Sequence, residues 1–524
     1  MAADRRSFLK AAGALSVAAV SARLRKARAQ VAISGKGNLA YQSVSSLRAM
    51  LDARQVSARE LVAHAIARIG THDGAINAVV VRDFERAAAT ATEADAALAR
   101  GERAPLLGIP MTVKEAFNVG GLPTTWGFPN GRDWRPADDA SPVSRLKAAG
   151  AVIIGKTNLP TGISDWQSFN AIYGTTNNPF DLKRTPGGSS GGATAALAAG
   201  YVPLELGSDI SGSIRVPAHF CGVFGHKPTS GLVGQRGHAP PGAPPSSFDF
   251  SYGLGVCGPL ARSAADLELA LDILAGPDLP DAMAYRLTLP APRREQLRDF
   301  RILVVDDHPL LPVATEIREA LDEFANRLAR SGASVSRSSA LLPDLAESAR
   351  LHTRMVINTL AFGRPPEFFE RLRAEAAVLK GDDKSLKAER TRAPLLTHMQ
   401  WVAAEFDRIR LRQQWAMLFR QFDVVLCPPF SVTAFPHDQN PDQEARTIEI
   451  DGQSLPYRSL IVWATAATPP GLPATVMPIG HSKAGLPIGV QIIGPFLEDR
   501  TTLAFAKAAE REFGGFAPPP GFAG

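Results

Sequence analysis

The chain has 524 residues, of which 45% are hydrophobic and 21% charged, a composition typical of a globular protein with a substantial core. Residues 1–29 carry a net charge of +6, which equals the net charge of the whole chain, so the remainder is neutral overall. This balance implies no basic surface of the kind that binds nucleic acid or anionic lipid. The three cysteines are too few for a disulfide framework.

The N-terminal residues have the pattern of a secretion signal. Residues 5–10 read RRSFLK, an apolar stretch covers 11–22, and residues 27–29 read ARA, a small-residue cleavage pattern. The apolar stretch is shorter than the roughly 20 residues that span a bilayer. We therefore expect a twin-arginine signal peptide over 1–29, a mature domain over 30–524 in the periplasm, and no stable membrane anchor. The alternative is a basic amphipathic helix at a domain edge.

The first elements after the signal are predicted to be helices. They cover 44–53, 57–69 and 84–100, and the second opens with a capping box formed by Ser57 and Glu60. Strands and helices then alternate. The predicted strands are 111–113, 152–154, 202–206, 301–305, 424–426, 474–477 and 490–493. The predicted helices between and after them are 192–199, 264–274, 314–331 and 501–513.

This alternation predicts an α/β fold, a sheet with helices on both faces. Residues 279–299 are rich in proline and charge and are predicted to link two halves of the chain. Residues 341–420 are charged and mostly helical in pattern, which indicates a helical insertion.

Two serine clusters in glycine-rich backbone stand out between residues 185 and 229. Residues 187–192 read GGSSGG, and residues 211–213 read SGS. Glycine lets a backbone turn tightly and present its N–H groups to a ligand. A serine in such a turn has the setting of a nucleophile beside an oxyanion hole, which indicates acyl-transfer chemistry.

Together with three further motifs, these clusters resemble the amidase signature family. Residues 108–115 read GIPMTVKE, residues 469–474 read PPGLPA, and residues 485–491 read GLPIGVQ. The resemblance covers nearly the whole chain after the first forty residues. It implies the amidase signature fold, with a large mixed β-sheet covered by helices.

The resemblance also implies an enzyme that splits the C–N bond of linear carboxylic amides into an acid and ammonia or an amine. Ser213 takes the position of the nucleophile that forms an acyl-enzyme, and Ser189 and Lys114 take those of the proton relay. A small-molecule amide is the expected substrate, no cofactor is expected, and a homodimer is compatible with the sequence.

The residues around this triad have implied roles as well. The oxyanion hole would be formed by the backbone N–H groups of Ile210, Ser211, Gly212 and Ser213. The predicted supporting residues are Ser190, Asp209 and Arg215. For Asp209 and Arg215 a plain structural ion pair is an equal alternative.

One residue departs from the family pattern, since Ser211 stands where family members usually have glycine. If this position needs a positive φ, serine there is strained by roughly 1–2 kcal/mol. The candidate substrate-binding residues are Trp126, Asp165, Trp166 and Gln167. Core packing explains the aromatic members equally well.

Other functions remain open at this point. No cysteine–histidine cluster has the spacing of a metal site, and His219 and His226 are interpreted as packing or pocket-lining residues. Residues 187–191 also match the G-x-S-x-G pattern of an α/β-hydrolase or esterase with Ser189 as nucleophile, although no strand is predicted directly before it. The remaining alternatives are an inactive binding module and an amidotransferase A-like subunit.

Overall fold

The computed structural model describes residues 38–243 and 253–522. The predicted signal peptide therefore lies outside the described residues. The chain divides into two units, residues 1–39 and 40–524, and all elements below belong to the second unit.

The protein contains fifteen strands and thirteen α-helices among the described residues. The strands are β1 (Val79–Arg82), β2 (Pro110–Lys114), β3 (Val152–Thr157), β4 (Phe169–Asn170), β5 (Gly174–Thr175), β6 (Leu204–Asp209), β7 (Phe224–Lys227), β8 (Val256–Ala261), β9 (Arg301–Val304), β10 (Ser334–Ser336), β11 (Val424–Cys427), β12 (Thr447–Ile450), β13 (Gln453–Pro456), β14 (Ala474–His481) and β15 (Pro487–Ile493). The helices are α1 (Val44–Asp52), α2 (Ala58–Ile76), α3 (Phe84–Ala99), α4 (Ser141–Ala148), α5 (Gly191–Ala198), α6 (Arg215–Phe220), α7 (Ala264–Leu274), α8 (Thr315–Arg330), α9 (Leu345–Leu360), α10 (Pro366–Ala377), α11 (Leu386–Arg392), α12 (His398–Leu418) and α13 (Asp499–Phe513).

One mixed sheet of eleven strands organises the unit, in the order β1-β3-β2-β6-β8-β7-β14-β15-β11-β9-β10. The run β3-β2-β6 is parallel, as is the run β11-β9-β10. The strands between these runs pair antiparallel. The large mixed sheet predicted from the sequence is therefore confirmed.

Helices cover this sheet, since every residue of β2, β3, β6, β8 and β15 is buried. Side chains alternate between the two faces of a strand, so complete burial means that both faces are covered. Helix α5 packs on β2 and β6, and α6 and α13 pack on β14 and β15.

Local signals set both ends of helix α2. The capping box of α2 forms as predicted, with Ser57 Oγ accepting from Glu60 N at 3.1 Å and Glu60 accepting from Ser57 N at 2.8 Å. The helix extends further than predicted, to Ile76, where Asn77 adopts the left-handed conformation that ends helices.

Eight of the fifteen described strands were not predicted, namely β1, β4, β5, β7, β8, β10, β12 and β13. The strand predicted at 202–206 lies at 204–209. Strand β8 contains Pro259, which faces Leu206 of β6 in the middle of the sheet. Proline lacks an N–H group for a sheet ladder, so its presence argues against a central strand when only the sequence is read.

The predicted helical character of residues 341–420 agrees with the four helices α9 to α12. Helix α9 packs against a 3-10 helix over Tyr457–Ala466. Across residues 38–243 and 253–522, no helix combines the length and apolar character needed to cross a membrane.

Candidate active site

The parallel strands β2 and β6 bring two buried charged residues to the same end of the sheet. Lys114 is the last residue of β2 and Asp209 the last residue of β6, and the two strands are neighbours in register. Helix α5 begins beside them, at Gly191 within the GGSSGG segment. The two serine clusters and the lysine of the sequence motifs therefore meet at one edge of the sheet.

Lys114 is completely buried and contacts two hydroxyl groups. Its Nζ atom lies 2.6 Å from Ser189 Oγ and 3.0 Å from Ser208 Oγ. Burial lowers the pKa of Lys114 from 10.5 to about 7, against the opposing effect of the Asp209 carboxylate. A substantial share of Lys114 side chains is therefore neutral at pH 7, with a lone pair that can accept a proton.

The segment before α5 fits tightly against its surroundings. A Cβ atom on Gly188 would overlap the Asp165 carbonyl oxygen, so only glycine is accommodated there. Ser189 follows through a cis peptide bond and is 1% exposed. Ser190 donates from its backbone N to the Ser213 carbonyl at 3.1 Å, and from its Oγ to the Ser208 carbonyl at 3.3 Å. Ser190 thus ties the two serine clusters to β6.

The turn that carries Ser213 is held by a buried ion pair between Asp209 and Arg215. Two hydrogen bonds of 2.8 and 3.0 Å join the side chains, which are 0% and 1% exposed. Burial alone would raise the pKa of Asp209, but the Arg215 charge and the hydrogen bonds hold it well below its usual range. Arg215 also donates to Gln491 at 2.7 Å and to Thr468 at 3.0 Å.

The amides of this turn fall into two groups. Gly212 N donates to Asp209 Oδ1 at 2.8 Å, and Ile214 N donates to Asp209 Oδ2 at 3.0 Å. The Gly212 amide, predicted for the oxyanion hole, is therefore already engaged. The N–H groups of Ile210, Ser211 and Ser213 have no such partner among the described residues.

Ser211 does not need the conformation that the sequence comparison suggested. Within the turn the positive φ, 93°, falls on Gly212, and Ser211 lies outside the left-handed region. The Ser211 hydroxyl forms a 3.0 Å hydrogen bond with His352 Nε2 of α9, and the Ser211 carbonyl accepts from Trp166 Nε1 at 2.9 Å. Burial, with the Arg215 charge adding to it, lowers the pKa of His352 to about 3, so this imidazole is neutral.

A cavity of about 130 Å³ opens onto both serines, Ser189 and Ser213. Its wall is mostly apolar and includes Ile163, Ile461 and Leu360. Of the predicted substrate-binding residues, Trp126, Asp165 and Trp166 line it and Gln167 does not.

The four predicted substrate-binding residues also have structural contacts. Trp126 donates to the Ala116 carbonyl at 3.0 Å, and Asp165 pairs with Arg446 at 2.6 Å. Gln167 exchanges two hydrogen bonds with the backbone of Asp438, so its side chain serves the fold.

Several residues that belong to this site were not predicted from the sequence. Ser208 contacts Lys114, and Gln235, His238 and Arg458 line the cavity. Only Ser208 had a signal in the sequence, as the residue directly before Asp209, which was predicted as a supporting residue. Gln235 and His238 lie in a loop and Arg458 in the 3-10 helix over Tyr457–Ala466, and no motif connects these residues with the serine clusters.

His219 and His226 lie away from the cavity. His219 bonds the backbone of Val432 and Gly489, and His226 bonds Thr475 and Asp499. Over the described residues, no group of three or more histidine, cysteine or acidic side chains is arranged to hold a metal ion.

Known proteins share this architecture. The amidase family model matches residues 60–503. The AtzE subunit of 1-carboxybiuret hydrolase from Pseudomonas sp. (strain ADP) is 36% identical, over 84% of this chain and 92% of its own. The glutamyl-tRNA(Gln) amidotransferase of Anaeromyxobacter sp. (strain K) has an A-type subunit that is 33% identical, over 89% of this chain and 95% of its own.

A solved structure agrees as well. The crystal structure of a bacterial aryl acylamidase of the amidase signature family matches with a TM-score of 0.75 and 25% identity, over 92% of this chain and 98% of that chain. The chain therefore belongs to the amidase signature family. The α/β-hydrolase alternative is wrong, because no sheet strand directly precedes Ser189 and the fold is that of the amidases.

Proposed function

We propose that this protein hydrolyses carboxylic amides through an acyl-enzyme on Ser213, with Ser189 and Lys114 as its proton relay. One observation carries the proposal: a buried lysine of lowered pKa lies 2.6 Å from a serine that shares a cavity with Ser213. A neutral lysine is a base strong enough to activate a hydroxyl through a bridging serine.

In the first half of the reaction, Ser213 Oγ attacks the amide carbon. Its proton passes to Ser189 Oγ, and the Ser189 proton passes to Lys114 Nζ. A hydroxyl suits the middle position because it donates and accepts at the same time. The tetrahedral intermediate then loses its amine, and the C–N bond breaks as the proton returns from Lys114 through Ser189 to the leaving nitrogen.

In the second half, water replaces the amine. The relay takes a proton from the water molecule, whose oxygen attacks the acyl carbon. Collapse of the second intermediate releases the acid and restores the Ser213 hydroxyl.

The negative oxygen of both intermediates needs donors that no other group uses. We assign this role to the N–H groups of Ile210, Ser211 and Ser213, which have no partner among the described residues. Loss of one donor of this kind typically costs about 2.7–4 kcal/mol of transition-state stabilisation. The Asp209–Arg215 pair positions these donors by holding the turn.

The alternative of an amidotransferase A-like subunit has support in the 33% identical relative. The neutral charge of residues 30–524 argues against it, since a protein that acts on tRNA benefits from a basic surface. We therefore favour a hydrolase that acts without a nucleic-acid partner. Release of ammonia by the purified chain on its own distinguishes the two, and light scattering tests the homodimer.

The predicted location follows from residues 1–29, and we propose export to the periplasm by the twin-arginine route. A reporter fused after residue 29 tests this proposal. Export is expected with the native sequence and is expected to fail when Arg5 and Arg6 are both replaced by lysine. A reporter that stays in the cytosol with the native sequence contradicts the proposal.

Active-site labelling tests the proposed chemistry. A fluorophosphonate is expected to modify Ser213, as located by peptide mapping, and Ser213→Ala is expected to abolish both labelling and amide hydrolysis. Ser230→Ala, a loop serine outside the cavity, is the matched control and should label normally. An adduct on Ser189 in place of Ser213 contradicts the assignment, and a protein that neither labels nor hydrolyses amides supports the binding-module alternative.

A further inference from the structure

Five charged side chains lie close together beside the active-site cavity, and two of them, Asp165 and Arg458, line it. They comprise three arginines and two carboxylates: Arg390, Arg446, Arg458, Asp165 and Glu444. With every group in its usual ionised form, this cluster carries one unbalanced positive charge. Its members differ in how completely they are paired.

Asp165 and Arg446 form a closed pair. Their side chains are 5% and 2% exposed and lie 2.6 Å apart. Asp165 also accepts from Tyr457 Oη at 2.6 Å and from Gln443 Nε2 at 3.1 Å. The charge of each group is thus satisfied within the pair, so neither is available to a ligand.

Glu444 is shared by the other two arginines, and unequally. Arg390 donates two hydrogen bonds of 3.0 Å to its carboxylate, the bidentate geometry that arginine prefers. Arg458 Nε lies 3.5 Å from the same carboxylate and forms no hydrogen bond with it. Among the described residues the Arg458 guanidinium donates no hydrogen bond at all.

Arg458 also lines the cavity that contains Ser189 and Ser213, and its side chain is 30% exposed. Burial, and to a smaller degree the charge of Arg390, lowers the pKa of Arg458 from its ordinary value. A guanidinium stays ionised even so, and a partly buried cation with idle donors is stabilised by an anion.

We propose that Arg458 binds a carboxylate carried by the substrate, so that the preferred substrates are amides with a carboxylate remote from the scissile bond. This inference rests on the proposed amidase function. The apolar side chains of Ile163, Ile461 and Leu360 in the same cavity suit a short hydrocarbon segment between the amide and the carboxylate. The carboxylate belongs to either the acyl part or the amine part, and the test separates the two.

Two pairs of probes test the proposal. Glutaramate and pentanamide differ in an acyl-side carboxylate, and N-butanoylglycine and N-propylbutanamide differ in an amine-side carboxylate. In the wild type, kcat/KM is expected to favour the anionic member of one pair. Arg458→Met keeps the aliphatic stem and is expected to reduce that ratio by about tenfold or more.

Two further variants sharpen the result. Glu444→Gln removes the carboxylate that competes for Arg458, so the ratio is expected to rise. Arg371→Met, an arginine of α10 that is 63% exposed and outside the cavity, should leave the ratio unchanged. No preference for the anion in either pair, or a preference that survives Arg458→Met, overturns the proposal.

A binding measurement tests the carboxylate site independently of the proposed amidase activity. Calorimetry on Ser213→Ala measures the affinity for glutaramate and N-butanoylglycine without turnover. Loss of that binding when Arg458→Met is added supports the carboxylate site even if no amide is hydrolysed. Equal binding with and without Arg458→Met overturns it even if neutral amides are good substrates.

Discussion

Lys114 Nζ lies 2.6 Å from Ser189 Oγ although 75 positions separate the two residues, and both side chains are almost fully buried. The contact joins the end of β2 to the segment before α5. Burial makes the lysine a base near neutral pH, and the short distance gives it a hydroxyl to act on.

The pH dependence of activity follows from this pair. Protonated Lys114 cannot accept a proton, and its pKa of about 7 means that the neutral form grows as the pH rises through 7. We expect kcat/KM to rise through this range and to level off at more alkaline pH. Lys114→Met should lower the rate by roughly 10²- to 10⁴-fold and remove the rise.

The control for Lys114→Met is the same substitution at a lysine that, unlike Lys114, is exposed. Lys507 of α13 is 42% exposed and pairs with Glu268, so Lys507→Met should keep the wild-type pH profile. A Lys114→Met enzyme with full activity and an unchanged profile contradicts the relay.

Ser208 is predicted to position Lys114. Its hydroxyl lies 3.0 Å from Nζ and is the second oxygen in contact with the amine. Ser208→Ala removes an acceptor that stabilises the charged form, so the midpoint of the pH profile should move to lower pH. Because Ser208 also limits the movement of the side chain, kcat should fall by about tenfold or less with little change in KM. A purely structural role would leave the pH profile in place.

The ion pair of Asp209 and Arg215 is expected to dominate the stability of the active-site turn. Asp209→Ala leaves the Arg215 charge buried and unpaired, which costs about 3–5 kcal/mol in the free energy of unfolding. Urea denaturation measures this loss. The matched control is Glu323→Gln, which breaks an exposed pair with Arg330 and should change stability by less than about 0.5 kcal/mol.

The same ion pair contributes to acid denaturation. The pKa of Asp209 is lowered in the folded state, so its contribution is fully present above the ordinary pKa of about 4 and is lost as the pH falls below it. The stability difference between wild type and Asp209→Ala should therefore shrink at acid pH. A difference that is constant from pH 7 to pH 3 contradicts this prediction.

Ser211→Gly is expected to destabilise the protein, although the family resemblance implies glycine at this position. Ser211 has no left-handed backbone to relieve, and its hydroxyl bonds His352 at 3.0 Å. Loss of this partly buried hydrogen bond should cost about 1–3 kcal/mol in the free energy of unfolding. A double-mutant cycle with His352→Leu measures the coupling between the two residues, and a stabilised Ser211→Gly variant contradicts the prediction.

Most of the architecture could be predicted from the sequence. The capping box of α2 and the apolar runs of β3 and β15 are local signals, so the elements form close to where the residues indicate them. Strand β8 could not be predicted, because Pro259 opposes a central strand and only its neighbours β6 and β7 compensate by packing.

The sequence by itself determined which side chains carry the proposed chemistry, since Lys114, Ser189 and Ser213 stand in local motifs that resemble those of the amidase signature family. Only the tertiary structure decided the lowered pKa of Lys114 and which turn amides are free. It also brought Ser208, His352 and Arg458 to the site. Desolvation and hydrogen bonding depend on contacts between residues distant in the chain, and a local pattern of residues contains no information about those distances.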